Sequence, residues 1–335
     1  MERTFHIRPF RATDKEYARV VAINNALWPD ELNTIENLKY DDKTLPAERF
    51  FQRSVVELES VTTDATATEK MIGEVWCGLE RYEADPSRYS FGINVDPRFK
   101  HLEYGENGIF TLAMTHVQGI FQARDPKPTR LITFWREDQA TRLAYLKAEG
   151  FTVEMRYPES ELDVTTFDPT PFLPRAQQVA DMGIEILSLP QLQTRFDDWL
   201  ERCYEMDMEI LPDDPSTGEF RVEPIQEYAT LFEHPSFLAE GWFVAVLGDT
   251  LVGSSSVWAN KADPQRLYTN FTGVRRSYRR KGITTALKLA IVDYAQQQGV
   301  TSIRTDNEEN NPMYQINLKL GFQPRPAWLE LHKRL

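Results

Sequence analysis

The sequence contains few of the residues that proteins use to hold metals or to form cross-links. Of its 335 residues, two are cysteine and five are histidine. Cys77 and Cys203 lie in different halves of the chain, and neither has a metal-ligating neighbour at a useful spacing. We therefore expect reduced thiols, no disulfide framework and no metal site.

Long apolar runs are also missing, and positive charge is scarce. No apolar stretch approaches the length of a membrane span, and we expect no secretion signal in residues 1–5. Acidic residues outnumber basic ones by 51 to 38, which gives a formal net charge of -13. Such a balance opposes binding to a polyanion. These features predict a cytoplasmic protein that binds neither membranes nor nucleic acids.

Basic residues are nevertheless concentrated in one short stretch. Five of the seven positions from 275 to 281 are Arg or Lys, directly after an apolar strand that ends at Val274. From Gly282 onward, apolar residues recur at helical spacing as far as Tyr294, and Gly299 ends the pattern. A strand, a basic loop and a helix N-terminus bring cations and backbone N–H groups into one small volume. The pattern predicts a site for a di-anion such as a pyrophosphate.

The elements after this helix complete a recognisable order. A strand at 301–305 is followed by a polar turn at 306–310, and a further helix begins near Pro312 and ends before Gly321 and Phe322. This order resembles the core of the GCN5-related N-acetyltransferases (the GNAT family), which bind acyl-coenzyme A. The loop pattern of that family is Gln/Arg-x-x-Gly-x-Gly/Ala. Here it is matched at Arg279 and Gly282, and it departs at Thr284, which is still small enough to let a pyrophosphate approach.

The resemblance implies that acetyl-CoA is the co-substrate, with no metal involved. It implies that the strand 267–274 parts from the next strand and pairs with the pantetheine arm, and that the N–H of Gly273 or Val274 polarises the thioester carbonyl. The residues that it assigns to acetyl-CoA are Thr272, Gly273, Val274, Arg279, Arg280, Lys281, Gly282, Ile283, Thr284, Thr285, Asn307 and Asn310.

The first half of the chain repeats the order of the second half. Gly108 precedes Gly282 by 174 positions, and Phe151 precedes Phe322 by 171 positions. Near-constant offsets over an ordered set of elements indicate two copies of one fold. We therefore predict an α/β (α+β) protein of two tandem GNAT-like domains, each a mixed, mostly antiparallel sheet flanked by helices.

The predicted division places the first domain at 1–165 and the second at 181–335. The segment 166–180 contains three prolines, which favours an extended linker. We expect either a monomer in which the two domains form an intramolecular pseudo-dimer, or a homodimer.

The two copies differ at the position of the cofactor loop. The first copy has Gly105 where the family has Gln or Arg, and Phe110 where the family has Gly or Ala. It also carries Glu103 and Glu106, whose carboxylates repel a pyrophosphate. The first domain is therefore expected to be degenerate for cofactor binding, and the second to be catalytic.

The catalytic groups are less well marked. In the family, a tyrosine five residues before the phenylalanine of the Gly-Phe pair is often the general acid, but Asn317 occupies that position here. An amide can hydrogen-bond the sulfur but cannot deliver a proton at neutral pH. Tyr314 is the nearest phenol, and it could equally be a packing residue. Glu209 leads an acidic loop that either deprotonates the amine or is simply solvated; the loop's other carboxylates are Asp213, Asp214, Glu219 and Glu223.

Three functions fit these observations. The first is an acyl-CoA-dependent N-acetyltransferase that acts on a primary amine of a small molecule, and the acidic balance favours a cationic one. The second is a non-catalytic acyl-CoA-binding sensor or scaffold. The third is an acetyltransferase that modifies a protein lysine or N-terminus.

Overall fold

The computed structural model describes residues 5–59 and 70–335. It contains two seven-stranded sheets and divides into two compact units. The first unit comprises Met1–Met155 together with Leu329–Leu335, and the second comprises Arg156–Trp328. Each sheet is mixed and mostly antiparallel and carries helices, so the predicted fold class is confirmed.

The strands, in chain order, are β1 Phe5–Pro9, β2 Phe51–Leu58, β3 Met71–Gly78, β4 Arg88–Val95, β5 Arg130–Arg136, β6 Thr152–Tyr157, β7 Glu159–Asp163, β8 Ile184–Ser188, β9 Trp242–Leu247, β10 Thr250–Ala259, β11 Arg266–Val274, β12 Ser302–Asp306, β13 Gln323–Pro324 and β14 Trp328–Arg334. The first sheet has the order β1-β2-β3-β4-β5-β14-β6, and the second has the order β13-β7-β12-β11-β10-β9-β8.

The α-helices of the described residues are α1 Asp14–Leu27, α2 Ile35–Thr44, α3 Ile109–Gln122, α4 Ala140–Ala148, α5 Leu173–Asp181, α6 Leu189–Arg195, α7 Trp199–Ile210, α8 Ile225–Ala229, α9 Ile283–Gln297 and α10 Pro312–Lys319. None of these helices is long and apolar enough to cross a membrane.

The last strand of each half lies in the sheet of the other half. β7 follows β6 after a single residue, yet it pairs antiparallel with β12 of the second sheet. β14 lies between β5 and β6 of the first sheet, although it is the last strand of the chain. The compact units therefore differ from the predicted ranges 1–165 and 181–335, because strand pairing, and not position in the chain, decides where β7 and β14 belong.

A cluster of arginines fixes β7 in the second sheet. Glu161 lies 3.4 Å from Arg304, 3.5 Å from Arg266 and 3.2 Å from Arg325. Arg304 is almost completely buried. Because an unpaired buried guanidinium is strongly destabilising, Glu161 gives β7 a specific place in this sheet.

The segment 166–180 is not extended, contrary to the sequence expectation. It forms a short 3-10 turn at Thr170–Phe172 and then helix α5. Pro171 and Pro174 each lie at the second position of their element, within its first turn. Proline is well tolerated there because the first helical N–H groups have no partner within the helix.

Helix α9 packs onto the second sheet through two apolar clusters, one along its N-terminal half and one along its C-terminal half. Ile283, Ala286 and Leu287 belong to one apolar cluster, together with Val252 and Val274. Ile291, Val292 and Ala295 belong to another, which includes Leu267 of β11 and Ile303 of β12. These contacts hold the N-terminus of α9 beside the end of β11.

The position of β14 predicts that a residue near the C-terminus stabilises the first unit. Leu331 is fully buried in the core that contains Phe91 and Phe151. Leu331→Ala is expected to destabilise that unit by about 2–5 kcal/mol, since it leaves a cavity. Hydrogen exchange should then show loss of protection in β4 and β5, with β9 and β10 protected as before.

Leu335→Ala is the matched control, because this side chain is 59% exposed and should contribute little. Loss of protection confined to the second unit in the Leu331→Ala variant would contradict the placement of β14.

Candidate active site

The loop between β11 and α9 has a backbone suited to an anion. Arg280 has φ of 65° and Gly282 has φ of 90°, so the chain turns through two left-handed residues just before the helix. Gly282 is the N-cap and makes no side-chain capping bond. The hydrogen bond from the Ala286 N–H to the Gly282 carbonyl, at 3.1 Å, closes the first helical turn. The N–H groups before Ala286 are left without acceptors in the helix, which is the geometry that binds phosphates.

Three of the five cations in this loop have carboxylate partners. Arg275 lies 3.3 Å from Glu209, and Arg276 and Arg279 both bind Asp213. The hydrogen bond from Arg276 is the main cause of the lowered pKa of Asp213. Mutual repulsion within the loop is therefore relieved in part by the protein's own carboxylates.

Arg279 is tied into the loop by a second contact. Its Nε donates to the carbonyl of Val274 at 2.9 Å. This bond and the pairing with Asp213 brace the loop against the end of β11. Arg279 was assigned to acetyl-CoA by resemblance, and the structure gives it this bracing contact as well.

Arg280 and Lys281 are the two loop cations without a carboxylate partner among the described residues. Lys281 lies 5.0 Å from the centroid of the Tyr278 ring. Both side chains are exposed. They are free to approach an anion at the N-terminus of α9.

A further cation reaches this loop from α5. Arg175 donates from Nη2 to the Arg280 carbonyl at 3.0 Å. Its side chain also covers Gly282, where a Cβ atom would lie 2.4 Å from the Arg175 Nε. Sequence reasoning missed Arg175 because the segment that contains it was expected to be an extended linker.

The strands beside the loop part from each other, as the resemblance implied. β11 and β12 pair in parallel only from Arg266–Tyr268 to Ser302–Arg304, although both strands continue beyond these residues. Thr272, Gly273 and Val274 pair with β10 along one edge of β11. Along the other edge, no described strand covers them. This open edge can pair with an extended ligand.

Two predicted asparagines come together at the end of β12. Asn317 donates from Nδ2 to Oδ1 of Asn307 at 2.8 Å. Asn317 is fully buried, and its own Oδ1 has no hydrogen-bond partner within residues 5–59 and 70–335. Asn310 instead bonds Glu308 through its side-chain amide, at 2.8 Å.

Tyr314 and Glu209, the predicted candidates for the catalytic acid and base, have different surroundings. Tyr314 is partly buried, and its hydroxyl makes no hydrogen bond to any residue that the structure describes. The Glu209 side chain is 53% exposed and paired with Arg275. This pairing ties the Glu209 carboxylate to the loop cations.

A second group of carboxylates lies at the end of β12 and the start of α10. Asp214 accepts a hydrogen bond from Nδ2 of Asn311 at 3.3 Å. The pKa of Asp214 is raised to about 6, first by desolvation and then by repulsion from Asp306 and Glu308, although Asp214 as a whole residue is exposed to solvent. A carboxylate with this pKa can accept a proton near neutral pH.

Asp207 is a buried acid that the sequence did not single out. Tyr228 donates its hydroxyl proton to this carboxylate at 2.6 Å, and burial raises the pKa of Asp207 to about 7. The residue lies on the apolar face of α7 with Cys203, Met206 and Ile210. Only the tertiary structure distinguishes it from a solvated acid.

The corresponding loop of the first unit is closed by its own residues. The Phe110 N–H, in the first turn of α3, donates to the Glu103 carbonyl at 2.9 Å. The Glu103 carboxylate is fully buried and pairs with Arg142 at 2.5 Å. A Cβ atom on Gly108 would lie 2.6 Å from the Tyr104 backbone.

Aromatic side chains fill the same region of the first unit. The rings of Tyr104 and Phe110 stack with centroids 5.3 Å apart, and the Arg142 guanidinium lies 4.4 Å from the Trp135 centroid. In the first unit, the Glu103 carbonyl therefore already accepts the Phe110 N–H, and aromatic side chains and Arg142 fill the space beside it.

Groups of three or more His, Cys, Asp or Glu arranged to hold a metal ion are not found in the described part of the chain. The candidate site combines the backbone N–H groups and cations of the loop before α9, the open edge of β11, the amides of Asn307 and Asn317, and the carboxylates around Asp214.

Comparison with known proteins links this arrangement to a family. Residues 195–322 match the model of the acetyltransferase (GNAT) family. No curated protein matches the sequence.

Solved structures match nearly the whole chain. A GCN5-related N-acetyltransferase from Sphaerobacter thermophilus has a TM-score of 0.66 at 15% identity, and the match covers 98% of this chain and 95% of that chain. A tandem GNAT protein from the clavulanic acid biosynthesis pathway has a TM-score of 0.71 at 17% identity and covers 99% and 98%. A glucosamine N-acetyltransferase region of a fungal multi-domain β-N-acetylglucosaminidase has a TM-score of 0.70 at 13% identity, covering 99% of this chain and 38% of that one.

Proposed function

We propose that the chain is an acetyl-CoA-dependent N-acetyltransferase whose second unit is catalytic, because residues 195–322 match the acetyltransferase (GNAT) family model and the fold resembles that of a tandem GNAT protein. The acceptor that we propose is a primary amine on a small, cationic molecule. The observation that carries this proposal is the open N-terminus of α9, which lies beside the uncovered edge of β11.

The loop before α9 supplies the groups that a pyrophosphate needs. N–H groups of the first turn of α9 and the side chains of Arg280 and Lys281 face no carboxylate among the described residues. Arg175 adds a third cation from α5. Arg276 and Arg279 hold the loop in shape through Asp213.

The uncovered edge of β11 supplies the groups for the rest of acetyl-CoA. The pantetheine arm would pair with Thr272, Gly273 and Val274, as an additional strand does at a sheet edge. An N–H from Gly273 or Val274 would then stabilise the oxyanion that forms on the thioester carbon. These two residues follow the point at which β11 and β12 part.

The acidic group at the start of α10 suits a cationic acceptor. We assign Asp214 as the general base in place of Glu209, because Glu209 is paired with Arg275. The amine nitrogen attacks the thioester carbon, the C–N bond forms and the C–S bond breaks, and the surplus amine proton passes to Asp214. The thiolate can leave without a strong acid, because the pKa of a thiol is about 8.5.

The first unit is proposed to be degenerate for acetyl-CoA. In that unit the loop N–H, the loop carboxylate and the adjacent space are occupied by Glu103, Phe110, Arg142 and neighbouring aromatic rings. A pyrophosphate would have to displace a buried ion pair.

Turnover of acetyl-CoA against a panel of amines, followed as release of free thiol, tests the proposed activity. We expect turnover to be greatest with small cationic amines such as polyamines, amino sugars and amino-acid derivatives. Tight CoA binding without turnover on any amine would instead favour a sensor or scaffold. Turnover only on peptides would favour a protein acetyltransferase.

A charge reversal in the loop tests the cofactor site. Lys281→Glu should raise the Kd for CoA at least about tenfold, because it replaces a charge-assisted contact with repulsion. Asn107→Glu is the matched change at the corresponding exposed position of the first unit. Calorimetry should show one CoA bound per chain. If Asn107→Glu raises the Kd for CoA as much as Lys281→Glu does, the assignment of the cofactor site to the second unit is contradicted.

The general base should be visible in the pH profile. Because the pKa of Asp214 is raised to about 6, the carboxylate is protonated below that pH and kcat/KM should fall on the acid side. Asp214→Asn should lower kcat/KM by about 100-fold or more and remove this acid limb. Asp293→Asn, an exposed acid on α9, should leave both unchanged. An intact acid limb in Asp214→Asn would rule out this base.

A further inference from the structure

Lys288 is a buried cation without an anionic partner. It lies on α9, is 2% exposed, and makes no hydrogen bond or ion pair to any residue that the structure describes. Its contact with a ring is weak, at 5.9 Å from its ammonium to the Phe322 centroid. Burial lowers the pKa of Lys288 to about 7. A lysine in this position is costly unless something interacts with its ammonium group.

The position of Lys288 on α9 relates it to the cofactor loop. Thr284 and Thr285 precede it by one turn on the same face, and Ile291 and Val292 follow it by one turn. The latter two pack in the cluster that contains residues of β11 and β12. Helical side chains lean toward the N-terminus of their helix. Lys288 therefore lies between the loop and the strands that part.

A second unpartnered group lies near the same phenylalanine. The Phe322 N–H donates to the backbone carbonyl of Asn317 at 3.1 Å. The side-chain Oδ1 of Asn317 is buried without a partner in the described chain, while its Nδ2 is bonded to Asn307 at the end of β12. Phe322 thus contacts Lys288 of α9 through its ring and Asn317 of α10 through its backbone.

The first unit shows that the fold does not require these polar groups. The positions that correspond through Gly108 and Phe151 are Met114 and Leu146. Both are buried in the apolar core, at 3% and 0% exposure. The unit whose loop is closed has apolar residues here, and the unit whose loop is open has an unpaired lysine and an unpaired amide oxygen.

We propose that Lys288 and Asn317 form a binding site for the amide-containing arm of acetyl-CoA, with Lys288 donating to a carbonyl oxygen of the arm and Asn317 Oδ1 accepting an amide N–H. This assignment rests on the proposed function and names the groups that recognise the arm. A secondary amide offers one acceptor and one donor, which matches the two unpaired groups. A buried group left unpaired costs more than an exposed one, so a ligand that satisfies both gains affinity.

Two probes separate the arm from the nucleotide. CoA contains the arm, and adenosine 3′-phosphate 5′-diphosphate contains the phosphates without it. Lys288→Met introduces the residue found at the equivalent position of the first unit, and it should raise the Kd for CoA about tenfold. The Kd for the nucleotide should stay unchanged. Asn317→Leu, which likewise copies the first unit, should give the same selective loss.

The controls address folding and the packing of α9. Leu287→Met alters a fully buried side chain of α9 that packs in the other apolar cluster, with Val252 and Val274, and it should leave both Kd values unchanged. Thermal unfolding of Lys288→Met should show a melting temperature at or above that of the parent, because a buried ammonium is removed.

The remaining outcomes each overturn a specific statement. Equal loss of CoA and nucleotide binding in Lys288→Met would assign Lys288 to the phosphate loop and not to the arm. No change in either Kd would make Lys288 a structural lysine. Failure of the parent protein to bind either probe would instead refute the proposed function.

Discussion

The parting of two parallel strands is the constraint on which both units depend. β11 and β12 pair over three residues and then separate, and β4 and β5 do the same, from Arg88–Ser90 to Arg130–Ile132. Each separation leaves backbone groups that need partners, because buried unpaired N–H and C=O groups are rare in proteins. The first unit fills the region with a buried ion pair and aromatic rings. The second keeps an open strand edge and two unpaired buried side chains.

Most of the cations in the loop 275–281 pair with carboxylates of the same unit, which the sequence did not indicate. The cations from 275 to 281 stand out against the acidic composition, yet Glu209 and Asp213 pair with three of them. These carboxylates come from the end of α7 and the turn after it, which belong to the acidic loop that was a candidate for deprotonating the substrate amine. They instead brace the cofactor loop, while Asp214, next to Asp213 in the sequence, joins the carboxylates at the start of α10.

Elements set by local patterns were predictable. The helical spacing after Gly282 predicted α9, and the constant offsets between the halves predicted a tandem fold that the structure and its relatives confirm. Local propensity misled at 166–180, where proline was taken as a helix breaker although it suits the first helical turn. The cofactor residues, Tyr314, Asn317 and the pseudo-dimer or homodimer expectation remain predictions.

The sequence by itself determined the fold class, the duplication and the place of the cation-rich loop, because each depends on spacing along the chain. Only the tertiary structure decided the exchange of β7 and β14, the approach of Arg175 to Gly282 and the isolation of Lys288. These features depend on which distant residues share one small volume. A buried lysine and a solvated lysine have the same letter, and they differ only in the neighbours that folding brings to them.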